Sequence, residues 1–401
     1  MNHRERVLAA LSHREPDRVP LDLGSTRNTG ILQAPYAALV AYLDGERASA
    51  SGRVRGTTDV AEVSAELPSG HGMSKLLGLA TPDEAILQRL DIDFRGVFIG
   101  KADHSSEALL SDDPVEGTLH RDEFGVVRRC PGGGHYFDVV ESPLGSEITV
   151  ADVARYPWPD PTDPGYVRGL RERALRIRET TDCALVLHLS DVFVHTSQYL
   201  RGFEKWYMDM VLDQQLIGAL MDAALEIRME IARRALALVG DLIDVVSTAD
   251  DVADQRGPQM SPRLYRKMIK PRHARYLALI RSLTGATLLF HSCGSVVDLL
   301  PDFIDMGIQA LNPVQVTARG MDTAQLKAQF GDALVFWGGV DTMHVLPNGT
   351  PDDVRAEVRR RIADLAPGGG YVLTAVHNIQ PDVPPENIVA MYEAAREQDQ
   401  V

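Results

Sequence analysis

The chain has 401 residues, 44% of them hydrophobic and 24% charged, the balance of a globular protein with a substantial core. Its net charge of -15 argues against a nucleic-acid groove, which needs clustered Lys and Arg, and against docking on an anionic membrane face. Three cysteines, Cys130, Cys183 and Cys293, do not make a disulfide framework, so a reducing cytoplasm is the expected setting.

The opening stretch MNHRERVLAALSHREP is charged throughout and lacks the apolar core of a secretory leader. No apolar run reaches the roughly 20 residues of a membrane span. Short apolar runs alternate with helical stretches instead. In chain order, strands are expected at Val19–Leu23, Ile92–Phe98, Leu185–Leu189, Leu242–Val246, Thr287–His291, Ile308–Leu311, Leu334–Trp337 and Tyr371–Thr374. Several are continuous (TLLF, LIDVV, LVFW), as parallel strands covered on both faces should be. Helices are expected over Asp213–Leu238, over Ser295–Asp305 after a Cys-Gly turn, and over Pro351–Ala363 with Thr350 as N-cap. Ala48–Gly72 is small and polar and reads as a mobile loop. Residues from about Gly100 to Pro164 are turn-rich and alternating, as in HRDEFGVVRRCPGGGHYFDVV, and read as a β-hairpin insertion. Strands separated by helices predict an α/β fold, a TIM-like (β/α)8 barrel forming one domain over 1–401 with that insertion.

In such a barrel, polar residues at the C-terminal ends of strands face the mouth. His291 and Cys293, in FHSCGS, lie two apart at a strand end and so point the same way. Imidazole and thiolate both suit a borderline-soft ion such as Zn²⁺. His377, just past the last strand, is the candidate third ligand, which leaves the open position of a catalytic site. The competing assignment makes Cys293 a small buried hydrophobe and His291 a hydrogen-bonded core group. His188 and Asp191 follow the third strand, Asp250 and Asp251 the fourth with Gln255 and Arg256 beyond, and Asp341 the seventh. Each is a candidate for binding substrate or orienting a ligand, with a helix cap as the alternative role. His195, His344 and the tryptophans read as packing or rim residues.

Several stretches resemble the uroporphyrinogen decarboxylase superfamily in its methyltransferase-like branch. They are RERVLAALSHREPDRVPLDLGS, DEFGVV with YFDVVESPL, DDVADQRGPQMSPRLYRKMIKPRH, and the region from FHSCGSVVDLLPDFIDMGIQALNPVQ through WGGVDTMHVLPNGTPDDVRAEVRRRI to HNIQPDVPPENIVAMYEAA. The resemblance covers nearly the whole chain, least clearly Ala48–Gly72, and implies the same barrel. The arginine-rich RQAGRY motif and second-strand aspartate of the decarboxylases have no counterpart; the regions read LGSTRNTG and DFRGVF. Arg27 and Arg95 are the candidates there for an anionic substrate. The decarboxylase pocket tyrosine falls at Gln198, beside Tyr199, whereas His377 matches the late histidine of that pocket.

Corrinoid-linked methyltransferases of the superfamily hold zinc with H-x-C and a late cysteine. His291 and Cys293 match the first two ligands, and His377 stands for the third. That exchange makes the centre more positive by one charge, so thiol methylation and activation of a methyl donor stand as alternatives. The resemblance thus implies a zinc-dependent methyltransferase working between a small molecule and a corrinoid or thiol/folate acceptor. His291, Cys293 and His377 would bind the metal, Asp250, Gln255 and Asp341 would be catalytic, and Arg27, Arg95, His188 and Gln198 would contact substrate. No D-x-H-x-x-G cobalamin motif occurs, since DTMHVLP lacks the glycine, so the corrinoid would arrive on a partner protein. The alternatives are a uroporphyrinogen decarboxylase-type enzyme and a non-catalytic subunit of a methyltransferase complex. Barrels of this size often pair, and a homodimer is among the expected assemblies.

Overall fold

In the computed structural model, which describes residues 1–51, 78–113, 115–132 and 137–397, a parallel sheet runs around one core. Its strands are β1 (Phe94–Phe98), β6 (Ala184–Asp191), β7 (Val245–Ala249), β8 (Thr287–His291), β9 (Ala310–Asn312), β10 (Val335–Trp337) and β11 (Tyr371–Val372), hydrogen-bonded in that order. Residues around Leu21 supply the eighth stave. Leu21 bridges Leu373 in parallel on one side, and on the other its carbonyl accepts the Asp93 N–H at 2.9 Å. The (β/α)8 barrel is thereby closed, with an edge that consists of single bonds rather than a full strand. Val19–Leu23 is accordingly a short bridge and not the strand its apolar run suggests.

Between β1 and β6 the chain builds a separate four-stranded antiparallel sheet: β2 (Ala108–Asp113), β3 (Gly117–Arg121), β4 (Val127–Cys130) and β5 (Asp138–Glu141). It lies where the sequence suggests a β-hairpin insertion, and has four strands rather than a hairpin's two. The expected helices also occur, over Gln214–Val239 with Asp213 as cap, and over Pro351–Leu365 with Thr350 in a capping box with Asp353. The stretch after Cys293 begins later, as a 3-10 turn at Val297–Leu299 leading into Leu300–Asp305. The fourth expected strand is shifted furthest. Leu242 N–H bonds back to Val239 O in the turn after the preceding helix, so the ladder begins at Val245 and takes in the buried Ser247 and Thr248. Of Ala48–Gly72, residues 48–51 end the helix Gln33–Ser51, and the remainder lies outside the described residues. Among the described residues, no helix is long and apolar enough to cross a membrane.

Alternation along the strands divides the core in two. Phe94, Val186, Val245, Leu289, Ala310, Val335 and Trp337 form the barrel interior, with Val7 of the first helix (His3–Leu11) packed among them from below. Their neighbours, such as Leu187, Val246, Leu288, Phe290 and Phe336, face the surrounding helices. The barrel floor is fixed by charge. Asp93, fully buried, accepts from Arg6 Nη1 at 2.8 Å, from Arg18 Nη1 at 2.7 Å and from Leu21 N at 2.7 Å. The last bond seats the closing segment. Removing one partner of a buried ion pair costs about 3–5 kcal/mol, because the other charge is stranded. Asp93→Ala is therefore expected to lose stability on that scale in urea unfolding, whereas Asp152→Ala, on an exposed helix start, changes the midpoint little.

Candidate metal centre

His291 closes β8, and because Leu289 points into the barrel, so does His291. Its Nδ1 faces Asn312 Oδ1, at the end of the neighbouring β9. The Asn312 amide has a fixed sense, since its Nδ2 donates to the Trp337 carbonyl at 3.1 Å. Oδ1 must then accept from the ring, so Nδ1 carries the proton and Nε2 keeps its lone pair. That lone pair lies 3.4 Å from Cys293 Sγ. The His377 ring stands edge-on to the His291 ring, with centroids 5.6 Å apart. One ligand atom from each of His291, Cys293 and His377 lies within 4.8 Å of the others. The turn that carries Cys293 depends on Gly294, at φ 95°, where a Cβ would sit 2.5 Å from the Asp254 carbonyl.

Beneath this trio lies Asp251. Its Oδ1 accepts the Cys293 N–H at 2.7 Å and lies 3.8 Å from His291 Nε2, while its Oδ2 is 3.6 Å from His195 Nε2. The electrostatics separate the groups. Burial, with the His291 ring next to it, lowers His377 to about 4, and burial also lowers His291. Both rings are thus neutral lone-pair donors near pH 7. Burial and then the Asp251 charge raise the Cys293 thiol well above its usual range, so a cation must displace its proton. Burial pushes Asp251 up, yet His195, His291, the Cys293 N–H and His377 together hold it below the ordinary carboxylate value. Neutral imidazoles and a displaceable thiol proton fit a borderline-soft divalent ion.

Cys293 and His377 also line a cavity of about 290 Å³. Its other walls include Gln315, Thr317, Asp341, Met343 and Asn378. Asp341 is one of these walls, although its Oδ1 also accepts from Met343 N at 2.7 Å and His344 N at 3.2 Å. Gln255 is an exposed rim residue whose Nε2 lies 3.6 Å from Met343 Sδ. His188 lies lower in the barrel, buried, with Nδ1 at 3.3 Å from Ser247 Oγ. Arg27 reaches Ser190 Oγ at 3.3 Å, its Nε has no hydrogen-bond partner, and burial lowers it to about 10.

Three expected residues are placed elsewhere. Arg95 follows the inward Phe94 and so faces outward, its guanidinium taken by Glu84 and the carbonyls of Ile92 and Phe94. Asp250 points behind β7, where it accepts from the N–H groups of Phe193 and Val194 and pairs with buried His273 Nε2 at 2.9 Å. It is an anchor for the helix Val194–Arg201, not a group in the cavity. Gln198 is buried in that helix and donates to Tyr207 Oη and Gln259 Oε1. Sequence reasoning raised both aspartates but put Asp250, not Asp251, in the catalytic set, and it missed Asn312. Strand parity would have found both, since Ala249 and Asp251 share a face and so do Ala310 and Asn312.

Comparison with known proteins places this barrel in a family. The family model described as uroporphyrinogen decarboxylase (URO-D) matches residues 145–398, and the chain belongs to the uroporphyrinogen decarboxylase family. Among its relatives, a uroporphyrinogen decarboxylase of Pseudomonas aeruginosa (strain LESB58) is 26% identical over 280 residues, covering 66% of this chain and 74% of that protein. One from Azotobacter vinelandii is 27% identical over 286 residues, covering 68% and 76% respectively. Among solved structures, a methyltransferase from Methanosarcina mazei shares the fold over 99% of both chains, with a TM-score of 0.58 and 20% sequence identity.

A lowered histidine has a signed consequence. The unfolded chain takes a proton near 6.5 that folded His377 refuses until about 4, so this group's contribution is lost as pH falls through that interval. An NMR titration of the metal-free protein is expected to place the His377 ring midpoint near 4. A midpoint at or above 6.5 would contradict the buried, neutral ring.

Proposed function

We propose that this protein is a zinc-dependent methyltransferase that moves a methyl group between a small molecule and a corrinoid carried by a partner protein. The observation that carries the proposal is the convergence of His291, Cys293 and His377 beside a cavity, with the His291 tautomer preset by Asn312. Three protein ligands would leave a fourth position open for a substrate donor atom, which is the composition of a catalytic zinc site. Bound there, the ion would supply Lewis acidity and hold a thiolate or similar donor near neutral pH. The chain's own residues prepare for it. Asn312 orients His291, Asp251 holds the Cys293 turn, and Asp341 with Gln255 stands at the rim where substrate enters. A partner seated over the mouth would exclude water from the transfer.

A decarboxylase is the second reading, and the names of the relatives favour it. Against it, the cavity beside Cys293 has no Arg or Lys among the described residues of its lining to hold the acetates of a tetrapyrrole. Anaerobic incubation with uroporphyrinogen distinguishes the two, because release of coproporphyrinogen would support decarboxylation and remove the methyltransferase proposal.

Elemental analysis of purified protein is expected to find zinc near one equivalent, falling to background in His291→Ala. Asn312→Leu keeps every ligand but releases the His291 ring, and is expected to weaken zinc binding about 10–100-fold in competition with a chromophoric chelator. Unchanged affinity in that variant would show that Asn312 does not set the ligand.

A further inference from the structure

On the side of Asp251 away from Cys293 stands a histidine that the proposed ligand set does not use. His195 lies in the first turn of the helix Val194–Arg201, its backbone N–H directed at Asp250. Its Nε2 is 3.6 Å from Asp251 Oδ2, and its Nδ1 is 4.0 Å from Asp191 Oδ1. Asp191 reaches this level through a bulge in β6, after which it is paired with Ala249, with Ser190 at φ 71°. The ring lies flat against Tyr199, with centroids 5.6 Å apart and planes 7° apart. Arg128, from β4 of the inserted sheet, covers the Tyr199 ring at 4.1 Å. The side chain of His195 is 18% exposed and that of Asp191 is 40% exposed, so the ring opens toward water through Asp191 while a single carboxylate separates it from the Cys293 turn.

Resting on the methyl-transfer reading, we infer that His195 is the proton acceptor of the reaction and that the demethylated substrate is an acid X–H, such as a thiol or phenol. As the X–C bond forms, the bond from methyl to its donor breaks and that electron pair stays on the donor. The X–H proton passes to the Asp251 carboxylate, whose Oδ2 lies 3.6 Å from His195 Nε2, then to that nitrogen, and leaves through Asp191. In reverse, His195 returns the proton to the departing group. The surroundings tune the ring for this exchange. Burial opposes its protonation, but Asp251, Asp191 and Asp250 outweigh that and the Arg128 charge, and they raise it above 6.5. A histidine so placed can both hold and release a proton close to neutrality.

The test uses zinc-loaded full-length protein with methylcobalamin as methyl donor and 2-mercaptoethanol as acceptor. Wild type is expected to show a rate that rises with pH through one ionisation. His195→Asn is expected to lose about 10²–10⁴-fold in kcat with little change in KM and to lose that limb. Added imidazole should restore turnover in His195→Gly, which loss of a merely structural ring would not allow. A His195→Asn variant that keeps both the limb and near wild-type kcat overturns the inference while leaving the methyltransferase reading intact. If wild type transfers no methyl group, that reading fails, and NMR titration of His195 decides the charge arrangement. A midpoint above 6.5 that falls in Asp251→Asn supports it, and a midpoint at or below 6.5 that ignores Asp251 overturns it.

Discussion

The site depends on one hydrogen bond, from His291 Nδ1 to Asn312. An imidazole can present either nitrogen, and only the proton on Nδ1 leaves Nε2 free beside Cys293. Asn312 can accept because its amide nitrogen is spent on the Trp337 carbonyl. Trp337 in turn donates its indole N–H to buried Asp22 at 2.9 Å, in the segment that closes the barrel. The tautomer of one ring is therefore tied to the closure of the whole sheet.

Charge is graded across the mouth. Two neutral imidazoles and a thiol sit next to the cavity, the Asp251 carboxylate lies beneath them, and His195 with Asp191 lies beyond it. A cation held by the first group would find a compensating anion in Asp251, whose Oδ1 lies 3.8 Å from His291 Nε2. The net charge of the chain gives no hint of this order, because acidic residues also serve helix starts and surface ion pairs, as Asp152 and Asp353 do.

Much of the barrel was legible in the amino-acid sequence, because buried parallel strands leave continuous apolar runs. Thr287–His291 was read with its exact bounds, whereas Leu242 and Ile243 drew the fourth strand too early, being apolar but part of the connection that follows a helix. The H-x-C pair was legible for the same reason that a strand alternates. Asp250 was misread because two adjacent acids look alike in a sequence, although a pleat sends them to opposite sides. Arg95 failed by the same parity. His195 carried no signal at all, since its meaning comes from a bulge in β6 and from a ring on its own helix, neither of which spacing encodes.

Zinc K-edge X-ray absorption on the purified protein tests the central claim most directly. The account predicts one sulfur at about 2.3 Å and two imidazole nitrogens at about 2.0–2.1 Å around the ion. A shell of oxygen and nitrogen alone, with no sulfur scatterer, would contradict it.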